Sequence, residues 1–103
     1  MQTISSQHYI DDDIVAEKLA ARDFVVQVSP VFEAGGVSVR VVLDGHHSLA
    51  AARQAGEVPE FVTADATTND KVALLERGEI DDFLELAWID GDWYDIDTKQ
   101  CVW

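Results

Sequence analysis

Between Val39 and Gly56 the chain switches from one backbone period to another with almost no connecting residues. No other feature constrains the fold as much. Val39-Arg40-Val41-Val42-Leu43 is an apolar, β-branched run of the kind that forms a strand. Asp44-Gly45-His46-His47 reads as a sharp turn carrying two histidines, and Ser48 to Ala55 as a short Ala-rich helix closed by Gly56. A strand that feeds a helix so directly belongs to an architecture with both sheet and helix layers. The junction also gathers unpaired N–H groups at the positive end of a helix dipole, so it can receive an anion. Chemistry is expected there first.

The flanking segments extend the same pattern. Residues 1–10 are polar and read as a loose lead-in, with a short strand near Ile4. Asp11-Asp12-Asp13 supplies an N-cap and first-turn acids for a helix to about Arg22, with Ile14, Val15, Leu19 and Ala20 on one face. Phe24 to Phe32 reads as a strand whose second half Pro30 sends to an edge or bulge. Gly35-Gly36 turns the chain into the Val37–Leu43 strand, and Glu57 to Ala64 leads into a third.

Further along, Thr68 or Asn69 caps a helix through Arg77, and Glu79 to Trp88 forms another with a stripe of Ile80, Phe83, Leu84, Ala87 and Trp88. Asp90-Gly91 is a hairpin signal, and Cys101-Val102-Trp103 is apolar enough to dock back on the body. The expected fold is α+β, a small mixed sheet with helices packed on it, in a single domain over residues 1–103.

Charge narrows the function. Seven basic against twenty acidic residues leave −13. Nonspecific affinity for nucleic acid rests on Lys and Arg neutralising phosphates, so direct nucleic-acid binding is not expected. Eleven of the acids lie between Asp65 and Asp97, where only Lys71 and Arg77 are basic, giving that third of the chain −9. This is either a solvated, solubilising surface or an acidic face for a basic protein partner. No run of about 18 apolar residues suggests a membrane span. The first residues lack the basic and apolar regions of a signal peptide, and Cys101 is alone, so the expected location is the cytoplasm.

Leu43-Asp44-Gly45-His46-His47-Ser48-Leu49-Ala50-Ala51-Ala52, then Gly56 and Val58-Pro59-Glu60-Phe61-Val62, resembles the ParB/sulfiredoxin-like superfamily. The resemblance covers about residues 11–64, with 65–103 as an acidic extension, and the order of elements around the motif agrees with it. It implies the ParB/sulfiredoxin-like fold and a turn that binds nucleotide phosphate. ParB partition proteins bind and hydrolyse CTP with a Gly-x-Arg-Arg turn, and sulfiredoxin binds ATP with Gly-Cys-His-Arg.

Carried onto this chain, Gly45 matches the glycine and His47 the histidine, while His46 stands where sulfiredoxin has its reactive Cys. Ser48 occupies the place of the arginine that clamps phosphate, and losing that charge-assisted contact costs about 1.5–3 kcal/mol. No basic helix-turn-helix segment of the ParB kind follows the motif, so sequence-specific DNA binding is not implied.

Three functions follow as expectations. The first is a binding or regulatory module with a degenerate nucleotide-phosphate pocket formed by Asp44, Gly45, His46, His47, Ser48 and Arg40. It would take a protein partner or, weakly, CTP or ATP with Mg²⁺. The second is a nucleotide-dependent enzyme with His47 as general base and Arg40 as substitute phosphate ligand. The third is an acidic inhibitor or immunity-type protein that covers a basic groove through residues 65–97. Adjacent histidines lack the spacing of a two-His metal site, so no metal ligand is assigned. Structurally, the two rings are expected to diverge, one holding the turn and the other partly exposed. The aromatics Trp88, Trp93, Tyr94 and Trp103 read either as core packing or as an interface with an acidic rim.

Overall fold

The computed structural model describes residues 1–103. Its centre is the eight-residue strand Val37–Asp44 (β4), numbered after β1 (Gln2–Ser5), β2 (Val25–Val28) and β3 (Phe32–Ala34). Strand β5 (Glu60–Thr63) and β6 (Tyr94–Asp95) complete a mixed sheet of order β5-β2-β4-β1-β6, with β3 pairing beside β4. Strands β1 and β4 run parallel, as do β2 and β5, while β2 and β3 run antiparallel to β4.

Period-two alternation along β4 sends its side chains to two cores. Val39 and Val41 pack with Ile4, Phe83 and Ala87 on one side. Val42 packs with Val26, Val28, Leu49 and Ile96 on the other. Helix α4 (Ile80–Ala87) covers the first core, with α3 (Val72–Glu76) against it. Helix α2 (His46–Ala55) covers the second and is backed by α1 (Asp12–Ala21).

Local signals at α1 act as the sequence suggests. The Asp11 carboxylate accepts from the N–H groups of Asp13 and Ile14, and Arg22 closes the helix in a left-handed conformation. The apolar face is narrower than its spacing indicates: Val15 alone is fully buried, and Ile14 and Ala20 are exposed. Gly35 and Gly36, at φ of 60° and 80°, form the β3–β4 turn. Pro30 divides the expected long strand into β2 and β3. At the break the Ser29 hydroxyl accepts the Val41 N–H at 2.9 Å, replacing a ladder bond that the backbone no longer makes.

Several expectations are corrected. The N-terminal segment is no lead-in: β1 lies between β4 and β6, and Ile4 is wholly buried. The histidine turn is shorter than read, because His46 and His47 already form the first turn of α2 and Gly45 alone makes the bend. The helix expected from Thr68 or Asn69 is reduced to α3, beginning at Val72.

Asp90-Gly91 makes no hairpin. Its backbone N–H groups donate to the Ser6 carbonyl, and the Asp90 carboxylate accepts from the N–H groups of His8 and Tyr9. Trp88 is 54% exposed and does not extend the α4 stripe. The C-terminus does dock back, with Val102 N–H donating to the Trp93 carbonyl and the Trp93 and Trp103 rings meeting edge-on.

Candidate functional site

The junction of β4 and α2 turns on Gly45, which has φ of 92°. A Cβ at this position would lie 2.6 Å from the Val25 carbonyl oxygen, a backbone atom of the neighbouring strand. Only glycine fits here, on grounds of both conformation and space. The Asp44 carboxylate accepts the Gly45 N–H at 2.8 Å, and the Gly45 carbonyl accepts the first helical bond from Leu49. No side chain caps α2. The N–H groups of His46, His47 and Ser48 are therefore its unpaired donors.

A cleft of about 320 Å³ opens at this helix start, lined by Lys18, Asp23, Gln27, Asp44, His47 and Ser48 as well as Gly45. Helix α1 brings Lys18, and the chain just past that helix brings Asp23. Their ion pair of 3.1 Å crosses the cleft wall. The Lys18 ammonium, then the Val25 N–H, holds the Asp23 carboxyl below its ordinary range. Ser48 lies at the cleft but is only 2% exposed, so it forms part of the floor.

The two histidines diverge, as expected for neighbours, and the structure separates their roles. His47 faces the cleft, where its Nε2 accepts the Asp11 N–H at 3.2 Å. While that bond holds, the Nε2 lone pair is occupied and is not offered to a substrate. His46 turns to the opposite side of α2, buried, with Nε2 2.6 Å from the Ser5 hydroxyl. Burial pushes its pKa down to about 4, so the ring is neutral at ordinary pH.

Arg40 is also placed elsewhere. Its Nε donates to the Thr3 hydroxyl at 2.9 Å, and its guanidinium stacks 4.4 Å from the Phe61 ring centroid. It lines a different cavity and does not reach the bend. Of the expected pocket residues, Asp44, Gly45, His47 and Ser48 come together, and His46 and Arg40 do not.

Lys18, Asp23 and Gln27 join the cleft without having been picked out in sequence. No local pattern links them to Asp44, because only the packing of α1 on α2 and the pairing of β2 with β4 bring them in. A polyphosphate fits this donor set poorly: two carboxylates face it, and the one ammonium is already paired. No group of three or more His, Cys, Asp or Glu side chains converges as a metal ligand set.

No known protein family, curated protein or solved structure gives a significant match to this chain.

Proposed function

We propose that this protein is a non-catalytic binding module of the ParB/sulfiredoxin-like type, in which the phosphate-receiving bend has become a polar cleft. The observation that carries this reading is the composition of that cleft. Free N–H donors at the start of α2 face the same space as the Asp44 and Asp23 carboxylates, the Gln27 amide and the Ser48 side chain. Such a site favours a small ligand with both donors and acceptors over a polyanion. Turnover lacks support, because His47 is engaged by Asp11 and no arginine reaches the bend.

The test is amide NMR with CTP, ATP and GTP, each with Mg²⁺ and each beside its nucleoside. The expected result is millimolar, saturable shifts at His46, His47 and Ser48, with the nucleoside binding at least as well as the triphosphate and no phosphate released. Micromolar triphosphate binding with hydrolysis would establish the enzyme reading instead. Unmoved amides with every compound would remove the bend as a ligand site.

A second reading has its own observation. Leu86, Trp88 and Ile89 are 58%, 54% and 40% exposed, beside the exposed acids Asp81, Asp82 and Glu85. Apolar anchors with an acidic surround suit a basic protein surface. This reading predicts a complex that weakens with salt and is lost in a Leu86→Ser, Trp88→Ser variant. A complex indifferent to both would count against it.

A further inference from the structure

Across α2 from the bend lies a second cleft, of about 270 Å³, with the opposite electrostatic character. No carboxylate side chain lines it, although the chain carries twenty acidic residues. His8, His46, Arg53 and Lys99 surround it, and Tyr94 and Leu49 supply an aromatic and an apolar wall.

Each cation is placed by a different part of the fold. Arg53 projects from the last turn of α2 and is held by Asp97 at 3.1 Å through one terminal nitrogen. Lys99 is set by the turn after β6, where the Asp95 carboxylate accepts from the Asp97 and Thr98 N–H groups and the Asp95 carbonyl accepts from Lys99. Its ammonium lies 5.4 Å from the Tyr94 ring centroid, and no carboxylate pairs with it.

Four of the seven basic side chains sit in ion pairs, and Lys99 is one of the three that do not. Tyr94 is fixed beneath it, with the phenol donating to the Gln7 carbonyl and the His8 ring edge-on at 4.9 Å. The His46 ring closes the back, anchored through Nε2 to Ser5. The nearby acids are otherwise engaged, Asp97 by Arg53 and Asp90 by the His8 and Tyr9 N–H groups.

We propose that this cleft binds a small oxyanion carried on an aromatic ring, the charge between Lys99 and Arg53 and the ring against Tyr94 and Leu49. The overall charge of −13 repels anions from the surface at large, so a local cationic cleft with an apolar wall selects for charge and ring together. The site lies on the far side of α2 from the bend and does not rest on the function proposed for it.

Amide NMR with phenyl phosphate as probe tests the idea on the intact chain. Saturable shifts are expected at His8, Tyr94 and Lys99, with His47 and Ser48 unmoved. Phenol, the same ring without the charge, and inorganic phosphate, the charge without the ring, should both bind more weakly. Lys99→Gln should weaken phenyl phosphate about threefold, Lys99→Glu should abolish its saturable binding, and Lys71→Gln should change nothing. Absence of saturation overturns the proposal, as do shifts confined to the bend or a Lys99→Gln variant that binds as the parent does. Equal affinity for inorganic and phenyl phosphate overturns the aromatic part.

Discussion

The Ser5 hydroxyl and the His46 Nε2 stand 2.6 Å apart in the interior, though 41 positions separate them in sequence. This bond ties the end of the interior strand β1 to the first turn of α2. The same Ser5 oxygen also accepts the Gln7 N–H at 3.0 Å, where the chain leaves the strand. One buried hydroxyl thus organises both the helix start and the exit from β1.

Ser5→Ala removes that hydroxyl with little change in volume and leaves a buried imidazole nitrogen and a backbone N–H unpartnered. A loss of about 1–3 kcal/mol is expected, seen as a lower urea midpoint at unchanged slope. A loss below about 0.5 kcal/mol would show that the bond does not hold the two elements together.

Protonation of His46 should make stability depend on pH in a defined window. Unfolded, the imidazole has a pKa near 6.5, whereas burial in the fold lowers it to about 4. Between these values the unfolded chain binds the extra proton, so stability falls as pH drops through the window. The contribution is complete above about pH 6.5, and at most about 3 kcal/mol is lost by pH 4. The carboxylates of Asp23, Asp65 and Asp90, also lowered, act below this window. Subtracting the profile of a His46→Gln variant isolates the effect, and parallel profiles would contradict it.

Gly45→Ala forces an unfavourable φ and drives a methyl group against the Val25 carbonyl. Destabilisation of about 2–3 kcal/mol is expected in equilibrium unfolding. A variant as stable as the parent would mean that the bend is not locked against β2.

Asp44→Asn keeps an oxygen to accept the Gly45 N–H but deletes a charge at the mouth of the bend. Nucleotide affinity at the α2 start should rise about threefold to fivefold, measured by the same amide shifts. Unchanged affinity would show that Asp44 does not account for the poor fit of phosphate.

Much of the motif region was legible because its signals are short-range. Asp11 caps α1 two and three residues on, Gly35-Gly36 turns β3 into β4, and Gly56 closes α2 through bonds to Ala52 and Arg53. The polar start hid β1, since Thr3, Ser5 and Ser6 are buried polar residues whose hydrogen bonds are made with distant parts of the chain. Asp90-Gly91 carries a hairpin signal yet folds onto the residues after β1, where Ser6 and His8 satisfy its polar groups. Trp88 continues a helical stripe in sequence, but α4 ends at Ala87 and leaves it outside.

By itself the sequence determined the elements around the Gly45 bend and the strand-to-helix passage, which depend on residues within one or two turns of each other, and the acidic balance, which is a sum over the chain. Tertiary structure alone decided that His46 and His47 serve opposite sides of α2 and that Arg40 belongs to neither of their clefts. It also decided that Asp23 and Lys18 line the bend. A helix start places successive side chains on different faces, and what each face meets depends on strands and helices far away in sequence.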